Sequence, residues 1–205
     1  MSLKNRIIVG ISGASGAIYG VRLLEALKAL PVETHLVMSK AAEMTLAYET
    51  DLKPAAVRAL ADVVHAFADV GAPIASGSFR TIGMVIAPCS VHSMAEVATG
   101  VTSNLLTRAA DVTLKERRRL VLMLRETPLH TGHLRNMTAL SEMGAIIAPP
   151  VPAFYAKPTT VQDIVDHSVG RVLDLFGLET DLVRRWSEPP GEDGEPGTRP
   201  KRRKR

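Results

Sequence analysis

Residues 6–12 read RIIVGIS, and residues 13–16 continue GASG. The run is rich in β-branched residues, apolar on both faces and closed by glycine, which suits a strand in the middle of a covered sheet. Residues 17–30 follow with Val21, Leu24, Leu27 and Leu30 at helical spacing. A second strand is predicted over 32–38, so the first strand–helix–strand unit takes about 33 residues, the usual length. The alternation continues outward. A helix is predicted over 40–48. A third is opened by Asp51-Leu52-Lys53-Pro54, with proline near the first turn, where its missing N–H costs nothing. A short strand over 63–65, a loop over 71–79 and a buried strand over 83–88 (GMVIAP) come next. Helices over 92–99 and 104–117, a strand over 120–124 (LVLML) and a strand over 145–148 follow. A long helix over 161–176 and a shorter one carrying Leu182 and Trp186 complete the pattern. Doubly apolar strands separated by helices specify an α/β class: a single Rossmann/flavodoxin-like domain, a parallel sheet with helices on both faces, three layers αβα.

The 205 residues are 46% apolar and 22% charged, which excludes disorder along most of the chain. Aromatics are only 4%, so the core must be built from Ala, Val, Ile, Leu and Met. Cys89 is the single cysteine, so no internal disulfide can form and a reducing compartment is suited. The opening MSLKN runs straight into Ile7-Ile8-Val9, and no stretch approaches the ~18 apolar residues of a membrane span. The expected location is cytoplasmic. Residues 187–205 hold six Lys/Arg, four Asp/Glu, four Pro and no apolar residue. The expected organisation is a domain over 1–186 and a disordered, Pro/Gly-rich basic tail over 187–205. Without that tail, 19 basic face 17 acidic groups, a net +2, so the positive balance is partly a tail property. The terminal KRRKR could touch an acidic partner, but nucleic acid is not the expected ligand.

In open α/β sheets ligands bind outside the carboxyl ends of the strands. The sequence there is Ser12 to Gly16 after the first strand, Ser39-Lys40 after the second, Pro88-Cys89-Ser90 after the fourth, Arg125-Glu126-Thr127-Pro128 after the fifth and Pro149-Pro150 after the sixth. Hydroxyls and charges at strand ends that lead into helix N-termini point to a phosphate-bearing ligand. Gly10, Gly13, Gly16 and Gly20 do not fit G-x-G-x-x-G, and Ser39 stands where an NAD enzyme carries its ribose-binding acid. No P-loop motif is present either. A mononucleotide such as FMN fits better than a dinucleotide.

Other candidates carry alternatives. Arg171 lies on the edge of an apolar stripe with Ile164 and Ser168, which is costly unless it meets an anion. Arg108 and Lys115 share a helix face and could bind an anion, or Asp111 and Lys115 could form a surface i,i+4 pair. Glu49 and Glu126 are the carboxylates nearest the inferred site. Cys89 reads as a buried structural thiol rather than a nucleophile. His130 and His133 read as a loop leading into a helix, because no third metal ligand is evident. Met123, Met137 and Met143 read as core filler.

The ordered pieces GISGASGAIYGVRLL (10–24), HLVMSKAA (35–42), YETD (48–51), ASGSF (75–79), PCS (88–90), LLTRAADVTLKERR (105–118), LRETPLHTGHLRNM (124–137) and PPVPAFY (149–155) together resemble the UbiX-type flavin prenyltransferases, formerly called 3-octaprenyl-4-hydroxybenzoate carboxy-lyases. The match is collinear from about Arg6 to Trp186. The resemblance implies transfer of the dimethylallyl group of dimethylallyl phosphate to N5 and C6 of reduced FMN. The product, prenylated FMN, would serve UbiD-type decarboxylases. It also implies a homododecamer with active sites at subunit junctions and no metal requirement.

Residue by residue, it implies flavin contacts from Gly13, Ala14, Ser15, Ser39, Ser90, Val91, His92, Ser93 and Arg125. It implies a prenyl-phosphate site of Ser76, Arg108, Lys115, Tyr155 and Arg171, and acid/base positions at Ser15, Glu49 and Glu126. Arg119 departs from the family pattern just before a strand, which puts no role in doubt, and Leu124 departs from it just before Arg125. Rival readings are an FMN-dependent cysteine decarboxylase of the same fold, a non-catalytic flavin carrier, and a nucleic-acid binder acting through KRRKR. The first would need a histidine after the second strand, where Ser39-Lys40-Ala41 stands.

Overall fold

A computed structural model describes residues 5–183. Six parallel strands form one sheet in the order β3-β2-β1-β4-β5-β6: β1 Asn5–Ile11, β2 Val32–Met38, β3 Val63–His65, β4 Gly83–Cys89, β5 Arg119–Leu124 and β6 Ile146–Ile147. The helices are α1 Ala17–Lys28, α2 Lys40–Glu49, α3 Pro54–Arg58, α4 Val91–Thr99, α5 Leu105–Lys115, α6 Thr131–Glu142 and α7 Val161–Asp174. Strand order reverses between β1 and β4, and this switch point is where a doubly wound sheet opens a ligand crevice.

The alternation of side chains along β1 sorts the core. Ile7, Val9 and Ile11 face α1, α2 and α7, whereas Ile8 faces the side covered by α4, α5 and α6. Leu23, Leu24, Leu27 and Leu36 are fully buried, each contributing roughly 1.5–3 kcal/mol by transfer from water. Gly20 lets α1 lie directly on β4: a Cβ there would stand 2.3 Å from the Ala87 carbonyl oxygen and 2.8 Å from Ile11 Cδ1.

The structure departs from the sequence reading in detail. β6 shrinks to two residues, with one more sheet bond from Ala148 N–H to the Leu122 carbonyl at 2.8 Å. α5 stops at Lys115 because Arg117 takes a left-handed φ of 56°, and α7 stops at Asp174. The 71–79 loop contains one 3-10 turn, Pro73–Ala75. Met123 is core and Met137 packs against it, but Met143, expected there too, is 42% exposed at the end of α6. Trp186 and the predicted tail lie outside the described residues.

At the β2–β3 edge the structure holds a polar chain that the sequence reading did not single out. His35 Nδ1 and His65 Nε2 are 3.0 Å apart, His35 Nε2 is 3.0 Å from Glu33 Oε1, and Arg6 Nε donates to the same oxygen at 2.9 Å. The Arg6 guanidinium also lies 4.7 Å above the Phe79 ring. Arg6 and then His35 hold the Glu33 carboxyl below its usual range. Burial, helped by the His35 charge, pushes His65 below the ordinary value of 6.5. The unfolded chain therefore takes up that proton first, and stability falls as pH drops below about 6.5. The urea midpoint is expected to fall between pH 7.5 and pH 6, and less so in His65→Gln. An equal or larger fall in the variant would remove His65 as the cause.

Candidate active site

The carboxyl ends of β1, β2, β4 and β5 open on one cleft of about 760 Å³. Gly13, Ala14 and Ser15 line it from the β1–α1 turn, and Ser39, Lys40 and Ala41 from the start of α2. Ser90, Val91, His92 and Ser93 line it from the start of α4, and Arg125, Glu126 and Thr127 from the end of β5. All nine residues to which the sequence reading assigned flavin contacts thus meet here, joined by Glu126. Phe67 and Asn104 also line the cleft and were missed. Asn104 was legible only as the start of a helix. Phe67 follows a three-residue strand and carried no signal.

Local hydrogen bonds fix this edge. The buried Ser12 hydroxyl donates to the Pro88 carbonyl at 2.8 Å and accepts from the Ser90 N–H at 2.8 Å, stapling the end of β1 to that of β4. Ser39 caps α2 by accepting from the Ala42 N–H at 3.0 Å, Ser90 caps α4 through Ser93, and Asn104 caps α5 through Thr107. Three helix N-termini, each with its positive dipole end, converge on the cleft. A Cβ on Gly13 would stand 2.4 Å from Ala41 Cβ, so the β1–α1 turn and α2 pack too closely for a side chain there. Arg125, half-buried, adds a fixed cation. Its charge draws the Tyr19 phenol pKa down, although burial wins and leaves it raised.

The N-terminus of α1 differs from the other three. Gly16 offers no side-chain cap. Instead Glu49, the last residue of α2, accepts from the Gly16 N–H at 2.9 and 3.1 Å and from the Ala17 N–H at 3.0 Å. A protein carboxylate therefore occupies the position that holds the pyrophosphate in dinucleotide-binding sheets. Glu126 stands on the cleft wall, accepting from its neighbour's N–H at 3.0 Å. Cys89 is fully buried and its thiol is pushed up to about 12 by that burial, so it is no nucleophile at neutral pH. His130 caps α6 by accepting from Gly132 and His133 N–H groups, and its ring stacks on that of His133 at 3.6 Å. Among the described residues no group of three or more His, Cys, Asp or Glu is placed to hold a metal.

The five residues assigned to the prenyl phosphate do not line this cleft. Ser76, Arg108 and Lys115 belong to the 71–79 loop and α5. The Ser76 and Ser78 hydroxyls lie 2.9 Å apart, Arg108 Nη1 donates to Asp111 at 2.9 Å, and Lys115 donates to Glu116. The Asp111–Lys115 pair considered from spacing does not form. Tyr155 and Arg171 make a third patch near α7: the Tyr155 hydroxyl is 3.1 Å from His167 Nε2, and Arg171, 54% exposed, donates to Asp174 at 2.8 Å. Asp174 is thus the anion that Arg171 meets within the chain.

The flavoprotein family model matches residues 1–173. The flavin prenyltransferase UbiX of Thauera aromatica is 60% identical over 182 residues, covering 89% of this chain and 94% of its own. That of Escherichia coli K12 is 59% identical over 184 residues, covering 88% and 97%. Among solved structures, AnUbiX (PadA1) in complex with FMN and dimethylallyl pyrophosphate superposes with a TM-score of 0.89 at 54% identity, covering 91% of this chain and 99% of that one. The dodecameric FMN-dependent UbiX-like decarboxylase from Escherichia coli O157:H7 gives 0.88 at 55%, covering 89% and 100%. The FMN-dependent cysteine decarboxylase SpaF, at 18% identity and a TM-score of 0.59 over 71% of this chain and 84% of its own, shares the fold alone. With most of its length aligned at this identity, the chain belongs to the flavoprotein family and, within it, to the UbiX flavin prenyltransferases.

Proposed function

We propose that the chain joins the dimethylallyl group of dimethylallyl monophosphate to N5 and C6 of reduced FMN, giving prenylated FMN for UbiD-type decarboxylases. The observation that carries the FMN assignment is the division of labour among helix N-termini. Those of α2, α4 and α5 open on the cleft with Arg125, while Glu49 closes that of α1. Such a site receives one phosphate and has no place for a second nucleotide's pyrophosphate. A volume of about 760 Å³ with an aromatic wall at Phe67 suits a flavin mononucleotide.

When bound, the reduced flavin supplies the two nucleophilic positions. The chain's own residues do the rest. Gly13, Ala14, Ser15, Ser39, Ser90 to Ser93 and Arg125 hold and orient the mononucleotide. Ser15, Glu49 and Glu126 hold or move the protons. A monophosphate is a poor leaving group, so Arg108, Lys115 and Arg171 take up its growing charge while Ser76 and Tyr155 donate hydrogen bonds. These groups stand in separate patches of one chain, which supports sites completed at subunit junctions, and we propose the homododecamer that the resemblance implies. We also place a single flavin-binding domain over 1–186, a basic tail beyond it, and the protein in the cytoplasm. Among the described residues no helix is long and apolar enough to cross a membrane.

The three cations balance a monophosphate dianion without a metal, whereas a diphosphate adds charge and volume. Turnover with dimethylallyl monophosphate is expected to persist in excess EDTA and to exceed that with the diphosphate at least tenfold in kcat/KM, about 1.4 kcal/mol. The mass and absorbance of the flavin released after anaerobic incubation measure it. Activity lost in EDTA and restored by magnesium, or a preference for the diphosphate, overturns the reading.

A further inference from the structure

Arg118 has no part in the chemistry described so far, yet both arms of its guanidinium are tied to one loop. Nη1 donates to the Phe79 carbonyl at 2.7 Å and Nη2 to the Gly77 carbonyl at 2.6 Å. Its side chain is only 17% exposed. Both acceptors are main-chain atoms of residues 75–79, ASGSF, the segment that carries Ser76.

The end of α5 aims Arg118 at this loop. The Arg117 N–H bonds the Leu114 carbonyl and the Arg118 N–H bonds the Thr113 carbonyl, both at 2.9 Å, as Arg117 turns into the left-handed region. A residue with a side chain keeps that conformation where its surroundings over-determine it. The reversal brings Arg118 alongside the loop while Lys115, in the last turn of α5, lies against it. Gly77 completes the fit. A Cβ there would stand 2.2 Å from Glu116 Oε1 and 2.9 Å from Lys115 Nζ. Glu116 pairs with Lys115 and stands 3.9 Å from Arg118 Nη2. Arginine, loop and lysine therefore form one unit. The planar fork fixes two carbonyls of the loop, and the bare Cα of Gly77 admits the Lys115–Glu116 pair.

We propose that Arg118 is a positioning residue for the donor's phosphate: it holds the main chain of residues 75–79 so that the Ser76 and Ser78 hydroxyls and the Lys115 ammonium meet one phosphate together. This rests on the reading above that Ser76 and Lys115 bind that phosphate. Arg118 acts through the Phe79 and Gly77 carbonyls, which take one donor each from Nη1 and Nη2 of a side chain that is only 17% exposed. A lysine in its place keeps the charge and can still donate to the loop, but without the planar fork it does not hold the two carbonyls in one fixed geometry. Fixing the donors in advance lowers the ordering that binding must supply, so loss of Arg118 falls on donor affinity and leaves the flavin cleft alone.

The test uses the full-length protein and measures KM for dimethylallyl monophosphate, kcat and FMN affinity in four variants. Arg118→Met is expected to raise the donor KM about tenfold or more, the loss of a charged hydrogen-bonding partner, with kcat within threefold and FMN affinity unchanged. Arg118→Lys should recover part of that loss. Gly77→Ala, which leaves Arg118 intact and displaces the Lys115–Glu116 pair, should give the same donor-specific signature and carries the test if Arg118→Met does not fold. Lys115→Met should raise the donor KM at least as much as Arg118→Met. If Lys115→Met raises it while Arg118→Met and Gly77→Ala stay within twofold of wild type, the positioning role is refuted and the phosphate site stands. An unchanged donor KM in Lys115→Met would remove the phosphate site and this proposal with it. Loss of FMN affinity in parallel with donor affinity would show general damage and equally overturn the proposal.

Discussion

Glu49→Gln is expected to lower the rate of product formation at least about 100-fold, the low end of what a positioned acid or base contributes. FMN affinity should stay within about threefold, since the nine cleft-lining residues assigned to the flavin are untouched. Size and position are preserved, and the side-chain oxygen of Gln can still accept from the Gly16 and Ala17 N–H groups that Glu49 now serves. What is lost is the ionisable group and one of two acceptor oxygens. Weakening of this cap should cost about 1 kcal/mol of stability. Single-turnover assays, with mass analysis of released flavin, separate this from a small shift in Tm. Full activity in a slightly less stable variant would mean that Glu49 is a helix cap and nothing more.

Gly20→Ala should have the largest effect on stability, about 3 kcal/mol or more, because the added methyl has nowhere to go. Its nearest neighbour, at 2.3 Å, is the main-chain oxygen of Ala87 in β4, which cannot rotate away. Relief requires α1 to lift from β4 and to expose part of the core formed by Val21, Leu24 and Leu27. Gly71→Ala is the control: its Cβ would meet only Asp69 Oδ1 at 3.4 Å, and a shift within about 0.5 kcal/mol is expected. Urea midpoints of the two variants decide the matter. If Gly20→Ala unfolds where Gly71→Ala does, the close contact of α1 with β4 is not what holds this face together.

The parts of the fold that were legible in the sequence are those set by local pattern. β2 and β3 fall where alternation of apolar runs and helices placed them, and β1 begins one residue earlier. Ser39, Ser90 and Asn104 prove to cap the helices predicted from 40, 92 and 104, each accepting from the N–H three residues on. β6 was overread because only Ile146 and Ile147 pair in register with β5, while Ala148 adds a single N–H bond and Ala145 bonds back to Leu140.

Partner choice was the illegible part. Asp111 has Arg108 three residues before it and Lys115 four after it, both acceptable on a helix, and Glu116 competes for the lysine. The His35–His65 contact depends on the register of β2 against β3, and Glu49 meets α1 only once the sheet has assembled. The flavin side of the site could be read because it lies on strand ends of one sheet. On the phosphate side Arg108, Lys115 and Arg171 stood out as candidate anion-binding cations, but Ser76 and Tyr155 were named through family motifs alone, since spacing does not bring these loops and helix faces together.

The burial of Cys89 bears on how such a catalyst outlives its own chemistry. Activating an allyl phosphate produces a carbon electrophile, and a thiolate is the side chain most readily alkylated by one. The chain's single sulfhydryl closes β4, one residue before the cleft-lining Ser90, yet it has no accessible surface. With burial pushing its pKa up to about 12, the thiol stays protonated at pH 7. The nucleophile most prone to intercept the prenyl group in place of the flavin is thereby both walled off and kept protonated, so turnover need not end in self-modification.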